Sequence, residues 1–588
     1  MIQDLFNMRQ ALIIIFSVLI AVSFTFVSAG CSERGDEKEA SHPSLVEEGT
    51  PGAGGRKAPD KGEEKSPREK ERLAEEERKE LEDQRRENYG EYYVPLPPLT
   101  DEKASPVKAR GLYLTGHSVG HPRYGDILEM VENTELNSLV IDAKDDHGLM
   151  SYSSSVNIVE EVGADDRVPV SDMREVLEDL DERDVFSIAR VVVFKDPHLA
   201  EEKPEWAIQR KEGDGIWRDS DGVGWLDPYN KDVWDYNIAV AREAALMGFQ
   251  EIQFDYVRFP ENAKRMDREA EYTAYDGTPK DELIQEFLHY AAEKLEDYNV
   301  YLSADVFGVI TTSWGDTDRI GQTWEKLSSA VDYICPMVYP SHYGPGYFDL
   351  DVPDAYPRRT VTYALRDAIK RNAPLEDPGI LRPWLQSFTA SWVRGNIPYG
   401  PEEVRAQIDA AYELGIEEFL LWDPNNNYGS QALLSEEESR KRREELARER
   451  RKEGKDALGR TPAEAVEKFL DALEESDWRK ALPLHSSDTL HYHNYSRWMR
   501  TIILKSVEYS VDDPGEPEDK WFEDGLVLDL EVELSGEEGD FVLKDESWEV
   551  FLENRVWRVD PSEEFMDKLE HDKIEQDGIY NQDFRKRE

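Results

Sequence analysis

Two aspartates that close strand-like segments have the residue types needed for acid–base chemistry. In FQEIQFDYVRFP, Glu251, Gln253 and Asp255 alternate with apolar residues, so an extended chain places all three on one face. Asp305 closes the next strand-like segment, VYLSADVFG. A buried carboxylate is costly without a partner or a function. Because two carboxylates in different electrostatic settings hydrolyse glycosides, Asp255 and Asp305 are the predicted catalytic residues.

Polar and aromatic side chains also gather at the ends of the other predicted strands. Aromatic rings stack on the faces of pyranose sugars, while carboxylates, amides and arginines bond their hydroxyls. The predicted substrate-binding residues are Asp142, Lys144, Asp145, Arg190, Arg258, Tyr339, His342, Trp384, Gln386, Trp422 and Asp423. Among them, Arg258 is expected to hold Asp255 ionised. A strand-end aspartate also commonly caps the next helix, an alternative that stays open for Asp146 and Asp423.

The elements that must position these residues lie between 107 and 435, where β-rich runs alternate with amphipathic helical runs. The predicted strands are 109–116, 137–145, 185–194, 249–260, 300–308, 331–340, 380–388 and 417–424. Eight βα units in roughly 330 residues fit a (β/α)8 TIM-type barrel, in which chemistry lies at the carboxyl ends of the strands. A doubly wound sheet is the competing fold, but no Gly-rich phosphate loop follows the first strand. No cofactor is predicted.

Four segments in this region carry a family resemblance. LNSLVIDAKDDHG, IARVVVFKDP, WLDPYNKDVWDYN and GFQEIQFDYVRFP resemble the bacterial "putative glycosyl hydrolase" domain family, over about 108–435. The resemblance implies a barrel glycosidase. Barrels of the alpha-amylase type place the nucleophile after the fourth strand and the acid after the fifth. This implies that Asp255 is nucleophile or ion-pair stabiliser and Asp305 the general acid. Since such barrels use Glu as the acid, Asp145 or Asp423 stays an alternative to Asp305.

Residues 459–565 are predicted to form a second, smaller α+β domain. An amphipathic helical run, TPAEAVEKFLDALEESDWRKALPLH, precedes the strand-like runs KSVEYSV, GLVLDLEVELS and DESWEVFLENRVWRVD. This order resembles the cone-like nuclear transport factor-like superfamily, which implies an accessory domain that binds a protein partner or a small ligand. His485, His491 and His493 lack carboxylates at metal-binding spacing, so surface positions and no metal site are expected.

The N-terminus predicts export and lipid anchoring. An apolar run, 11–27, leads to SAGC (28–31), which resembles a bacterial lipobox although Ser28 stands where Leu is usual. Lipidation of Cys31 would anchor the protein to the cell membrane, facing the extracellular or cell-wall side. A soluble secreted form and an uncleaved anchor stay alternatives. With Cys31 acylated, Cys335 is the only thiol left, so neither a disulfide nor a Cys-based metal site is expected.

Charge excludes one class of partner. The chain has 71 Lys and Arg against 126 Asp and Glu, a net charge of −55, which repels nucleic-acid phosphates. Two charged runs with few apolar residues are predicted to be a tether and a helical linker. The predicted order is 1–31 lipoprotein signal, 32–106 disordered charged tether, 107–435 barrel, 436–458 charged helical linker, 459–565 accessory domain and 566–588 charged tail.

These features together predict a surface-anchored glycoside hydrolase that acts on an extracellular or cell-wall polysaccharide. The main alternative is a barrel lipoprotein that binds glycan without cleaving it, in cell-envelope or spore assembly. A different hydrolase of the barrel class, such as a deacetylase or lyase, has no His-rich metal constellation to support it.

Overall fold

The computed structural model describes residues 67–98, 103–486, 504–536, 540–562, 564–566 and 569. The predicted signal peptide with Cys31 and most of the predicted tether lie outside the described residues, as do His491, His493 and residues 570–588. Within the described ranges, no helix is both long enough and apolar enough to cross a membrane.

Eight parallel strands close into a barrel. They are β1 (Arg110–Leu114), β2 (Ser138–Lys144), β3 (Phe186–Val192), β4 (Glu251–Asp255), β5 (Tyr301–Phe307), β6 (Tyr333–Val338), β7 in two pieces (Ile380–Leu381 and Trp384–Gln386) and β8 (Phe419–Trp422). The ring closes where β8 pairs with β1, with Leu420 opposite Gly111. Gly111 is needed here because a Cβ atom would lie 2.9 Å from the Ser138 carbonyl oxygen on β2. Each strand falls within a predicted one, and the TIM-type barrel is confirmed.

Strand β4 shows how alternation divides side chains between two environments. Ile252 and Phe254 are fully buried in the main core, between the strands and the helices. Glu251, Gln253 and Asp255 point into the barrel, where they bond to side chains of other strands. The alternation read from the sequence therefore places Asp255 at the upper end of an inward polar row.

An ionic layer fills the lower end of the barrel interior. Arg382 Nη1 donates to both carboxylate oxygens of Glu251 at 2.8 Å, and Arg382 Nε donates to Glu418 at 2.8 Å. The guanidinium lies 3.7 Å from the centre of the Tyr333 ring. All four side chains are buried, so the interior is packed at this end and the open space of the barrel is at the other.

A helix of the outer ring follows each strand, and all but one, Trp324–Ser328, are longer than the helices in the loops. After α1 (Pro67–Tyr89), the ring consists of α2 (Tyr124–Glu132), α3 (Met173–Glu182), α4 (Lys231–Met247), α5 (Lys280–Leu295), α6 (Trp324–Ser328), α7 (Pro357–Asn372), α8 (Pro401–Glu413) and α9 (Glu436–Lys452). Shorter helices in the loops include Gly116–Val119, Asn157–Glu161, Pro197–Glu202 and Ala263–Glu269.

Helix α9 coincides with the start of the predicted charged linker, and it lies against the barrel. Glu436 Oε2 accepts from Arg110 Nη2 at 2.9 Å, and Ser439 donates to the buried Glu135 at 2.5 Å. Leu446 is also buried. Helix α9 therefore docks through ion pairs and two small contacts, and this is why no apolar periodicity marks it in the sequence.

Helix α1 and the chain after it also contact the barrel, although they belong to the predicted tether. Arg78 Nη2 donates to the Leu96 carbonyl at 2.9 Å, which holds the helix to the segment that follows it. Arg85 Nη2 donates to the Tyr298 hydroxyl at 2.9 Å. Charged side chains in this part of the chain therefore form hydrogen bonds with specific groups of the protein as well as with solvent.

A smaller α+β domain follows the barrel, as predicted. Helix α10 (Pro462–Glu474) packs on an antiparallel sheet of β9 (Leu504–Val511), β10 (Leu526–Gly536), β11 (Asp540–Glu553) and β12 (Val556–Asp560). Phe469, Trp548 and Trp557 are buried in its own core. His485 is also buried, not on the surface as predicted, and burial together with the charge of Arg558 lowers its pKa to about 3.

This domain is joined to the barrel by specific hydrogen bonds. Asn554, in the turn between β11 and β12, donates from Nδ2 to the carbonyls of Asn372, Ala373 and Leu375, at and just after the end of α7. Asn372 is the last residue of α7, and carbonyls at the C-terminal end of a helix lack the intrahelical partner that the others have. The turn therefore acts as a cap supplied from outside the barrel.

Candidate active site

A cavity of about 1220 Å³ opens at the carboxyl ends of the strands. All eight strands contribute to its wall: Tyr113, Asp142, Arg190, Asp255, Asp305, Met337, Trp384 and Trp422. The predicted residues Asp145, Arg258, Tyr339 and His342 also line it. Lys144, Gln386 and Asp423 are not part of the wall.

Asp255 is fixed by an arginine that spans two carboxylates. Arg190 donates from Nε and Nη2 to Asp255 Oδ2 at 2.9 and 2.6 Å, and from Nη1 to Asp142 Oδ1 at 2.6 Å. The Tyr113 hydroxyl donates to the other Asp142 oxygen at 2.7 Å. Burial raises the pKa of Asp142 to about 6, although Arg190 and Tyr113 act to lower it. With both carboxylates ionised, the three charged groups carry a net charge of −1.

The backbone after β4 is shaped to hold the second oxygen of Asp255. Tyr256 has φ of 49°, a left-handed conformation that is uncommon for a residue with a side chain. Its N–H donates to Asp255 Oδ1 at 2.6 Å. Both oxygens of Asp255 are thus oriented, one by Arg190 and one by the main chain.

Asp305 lies in a different environment. Phe254 of β4 is opposite Ala304 of β5, so Asp255 and Asp305 are next to each other across the two strands. Asp305 is 2% exposed, and Trp384 Nε1 donates to its Oδ1 at 2.7 Å. Burial, and then the negative charge of Asp255, raise the pKa of Asp305 well above its ordinary value. These surroundings therefore favour the protonated form of this carboxyl group.

The two neighbouring carboxyl groups can therefore serve opposite roles in one reaction. Asp305 can give a proton to a leaving oxygen, while Asp255 can face a positive charge that develops on carbon. Hydrolysis of a glycosidic bond requires two carboxyl groups whose surroundings differ in this way, one to act as an acid and one as a carboxylate.

Stacked rings form the wall of the cavity beside Arg190. The Trp422 ring lies on Tyr113 with centroids 3.9 Å apart and planes at 15°, and Trp384 meets Trp422 edge-on at 5.6 Å. Trp422 is partly exposed, whereas Trp384 is 1% exposed. The partly exposed ring of Trp422 can therefore contact a ligand. The buried Trp384 contributes at the cavity floor through its N–H, which donates to Asp305.

A second row of rings leads from the floor of the cavity to solvent. The buried Tyr339 meets Phe388 at 5.9 Å, and Phe388 stacks on Trp392 at 5.9 Å with planes at 21°. Trp392 is 67% exposed. An exposed tryptophan held by another ring at the rim of a polar cavity is a suitable platform for a sugar face.

The relationship of the chain to known proteins agrees with this chemistry. A family model described as "Putative glycosyl hydrolase domain" matches residues 111–428, more than half of the chain. The chain belongs to this family. The match and the site together support a function on glycans.

Several solved structures are similar to this chain. A hypothetical protein from Ruminiclostridium thermocellum ATCC 27405 is 43% identical over 33% of this chain and 97% of its own, with a TM-score of 0.31. The glycoside hydrolase domain of PgaB (BpsB) from Bordetella bronchiseptica is 13% identical, covering 56% of this chain and 99% of its own, with a TM-score of 0.40. The spore cortex-lytic enzyme SleL of Bacillus megaterium QM B1551 is 13% identical, covering 58% and 75%, with a TM-score of 0.34. No curated protein matches the chain.

Three predicted substrate-binding residues do not line the cavity and bond to other groups of the protein. Lys144 Nζ pairs with Asp196 at 2.6 Å, with both side chains fully buried, because a bulge between Asp142 and Lys144 turns Lys144 away from the interior. Gln386 is fully buried and binds the backbone N–H of Ser341. Asp423 accepts the backbone N–H of Asn425 at 2.7 Å within the loop after β8, where no helix begins directly for it to cap.

The partner of Asp255 also differs from the expected one. The sequence suggests Arg258 because it is three residues away, but the hydrogen bonds of Arg258 go to the Phe259 carbonyl and to Glu261. Arg190 occupies the expected position because it lies on the adjacent strand β3, where it is opposite Gln253.

Sequence reasoning missed Tyr113, Phe388 and Trp392. Tyr113 is the next-to-last residue of β1, so its position near the strand end was a signal available in the sequence. Phe388 and Trp392 lie in the SFTASWVRGN segment after β7, where two aromatic residues among small and polar ones are the only mark. Across the described ranges, no three His, Cys, Asp or Glu side chains gather as metal ligands would.

Proposed function

We propose that the protein is a glycoside hydrolase acting on an extracellular or cell-wall polysaccharide, with Asp305 as general acid and Asp255 as nucleophile or stabilising carboxylate. The proposal depends on one observation: adjacent strands present two carboxyl groups in different settings to the same cavity, Asp305 buried with a raised pKa and Asp255 paired with Arg190. Family membership supports the reaction class.

In this reaction Asp305 gives its proton to the glycosidic oxygen as the bond from that oxygen to the anomeric carbon breaks. Positive charge develops on the sugar ring, and Asp255 lies on the cavity floor, where Arg190 orients it through two hydrogen bonds. Water then supplies a hydroxyl group to the anomeric carbon, and its remaining proton restores the acid. Both carboxyl groups return to their starting states.

A polymer is the proposed substrate because of the size and the aromatic lining of the cavity. Its volume, about 1220 Å³, exceeds the roughly 300–1,000 Å³ of most small-molecule pockets. The Tyr339, Phe388 and Trp392 row extends from the floor to solvent. Several consecutive sugar units would contact such a row.

A screen of the full chain, purified in detergent, against polysaccharides for new reducing ends tests this function. Hydrolysis by the wild type and its loss in Asp255→Asn is the expected result. Glycan binding with no new reducing ends from any polysaccharide would contradict it and favour the alternative, a non-catalytic glycan-binding barrel in envelope or spore assembly. One observation favours that alternative: both oxygens of Asp255 already accept hydrogen bonds.

Attachment to the membrane through lipid on Cys31 is also part of the proposal. Each buried CH₂ of the lipid contributes about 0.8 kcal/mol, and two or more chains suffice for stable anchoring. The net charge of −55 gives the rest of the chain no affinity for anionic lipid. Cys31→Ser should release the protein or block its processing. A variant that stays membrane-bound and is cleaved normally would contradict the lipobox.

The C-terminal domain is proposed to be a nuclear transport factor-like accessory domain that binds a protein partner. Its support is the order of α10 and the four-stranded sheet. Pull-down with the intact chain, compared with the chain carrying Asn554→Ala at the contact with the barrel, would show whether a partner needs the docked arrangement.

A further inference from the structure

Arg258 is a buried cation in the wall of the cavity. It follows β4 by three residues, lines the cavity and is 5% exposed. The guanidinium lies among three rings, 5.2 Å from the centre of Trp225, 5.1 Å from Tyr256 and 4.4 Å from Phe307. Rings in this arrangement stabilise a cation and hold the plane of its guanidinium in place.

The hydrogen bonds of Arg258 leave most of its donors unused. Nη1 donates to the Phe259 carbonyl at 3.0 Å, and Nη2 donates to Glu261 at 3.1 Å. The Glu261 side chain is 65% exposed, so solvent competes for it. A guanidinium has five N–H donors, and these contacts engage two of them.

Two other arginines in the barrel show how a buried guanidinium is paired in this interior. Arg190 binds Asp142 and Asp255, and Arg382 binds Glu251 and Glu418, all through buried carboxylates. Arg258 has no buried carboxylate among its hydrogen-bond partners in the described chain. Burial lowers the pKa of Arg258, which reflects the cost of keeping this charge out of water.

We propose that Arg258 binds a carboxylate on the substrate, so that the glycan taken by this cavity contains an acidic sugar. The inference rests on the proposed function, because it assumes that the ligand of the cavity is a glycan. The planar fork of a guanidinium matches a carboxylate through two parallel hydrogen bonds. A carboxylate with one charge suits the cavity better than a doubly charged phosphate, because Asp255 and Glu261 are close to Arg258.

The test compares one oligosaccharide in two forms: a tetramer of galacturonate, and the same tetramer with its carboxyl groups reduced to primary alcohols. Binding to the full chain is measured by titration calorimetry at high salt, where the overall negative charge of the protein is screened. The wild type should bind the acidic form about 10- to 100-fold more tightly, the size expected for charge-assisted hydrogen bonds.

Three variants identify the residue responsible. Arg258→Gln should bind both forms equally, and Arg258→Lys should keep a reduced preference because the charge remains without the fork. Arg167→Gln removes an exposed arginine of the same cavity wall and should keep the full preference. Thermal unfolding of each variant shows whether it is folded. If Arg258→Gln does not fold, the reduced preference of Arg258→Lys for the acidic tetramer tests the inference.

Equal binding of the two tetramers by the wild type, no binding of the acidic one, or an unchanged preference in Arg258→Gln would each overturn the inference. Reducing ends are measured on the same samples. Preferential binding without cleavage would contradict the proposed function and leave the carboxylate site standing. Equal cleavage of both tetramers would support the proposed function and contradict the carboxylate site.

Discussion

Replacement of Asp255 by Asn removes the negative charge that faces the reacting sugar while keeping the shape of the side chain. Arg190 loses one of the two ionised partners it contacts at 2.6 Å. Loss of the counter-charge to an oxocarbenium-like transition state is expected to reduce turnover by roughly 10³-fold, or about 4 kcal/mol. The folded structure should survive, since Asn still offers an acceptor to Arg190.

The same substitution also has a structural cost, which must be separated from the catalytic one. A buried charge-assisted hydrogen bond contributes roughly 1.5–3 kcal/mol, so Asp255→Asn should lower the free energy of unfolding by about that amount. Asp142→Asn is the matched control, because Asp142 binds the same guanidinium at the same distance. It should cost similar stability while reducing turnover by no more than about tenfold.

The assay measures turnover by new reducing ends and stability by urea unfolding for both variants. A 10³-fold loss in Asp255→Asn with a small loss in Asp142→Asn assigns the effect to Asp255. If both variants lose turnover equally, the Arg190 network is structural and Asp255 has no separate role. Full activity in folded Asp255→Asn would remove it from the mechanism.

Three further predictions follow from the site. Because burial raises the pKa of Asp305 and the Trp384 N–H opposes this, activity should fall as pH rises through that raised pKa, and Trp384→Phe should move the fall to higher pH; an unmoved pH profile would contradict the acid role. Trp392→Ala should weaken glycan affinity by about 1–3 kcal/mol with little change in stability, whereas Tyr275→Ala, 60% exposed and outside the cavity, should change neither. Lys144→Met leaves a buried carboxylate unpaired and should lower the free energy of unfolding by about 3–5 kcal/mol; unchanged urea unfolding would contradict the buried ion pair.

The sequence predicts the barrel and the inward row of β4 because both depend on local alternation. It does not predict which side chains meet across strands. Arg190 reaches Asp255 through the register of β3 against β4, and a bulge turns Lys144 out of the interior. Register and bulges are set by pairing between distant segments, so spacing along the chain misled the assignment of Arg258. The sequence also predicts a helix at α9 but not its docking against the barrel, because the contacts are mainly ion pairs between distant segments.

The two ionic layers of the barrel suggest a final prediction. Each layer has one arginine between two carboxylates; Arg382 is enclosed at the closed end, whereas Arg190 faces the cavity. With Asp305 protonated, the net charge of −1 around Arg190 is what a positively charged sugar would neutralise in the transition state.

Asp142 supplies one of the two negative charges beside Arg190, and burial raises its pKa to about 6. As pH falls below about 6, Asp142 takes up a proton and the charge around Arg190 becomes zero. The wild-type turnover should then fall to the turnover of Asp142→Asn, and that variant should show no change over the same pH range. A wild-type rate that stays constant through this range, or an Asp142→Asn variant that still loses activity there, would show that Asp142 does not contribute its charge to the reaction.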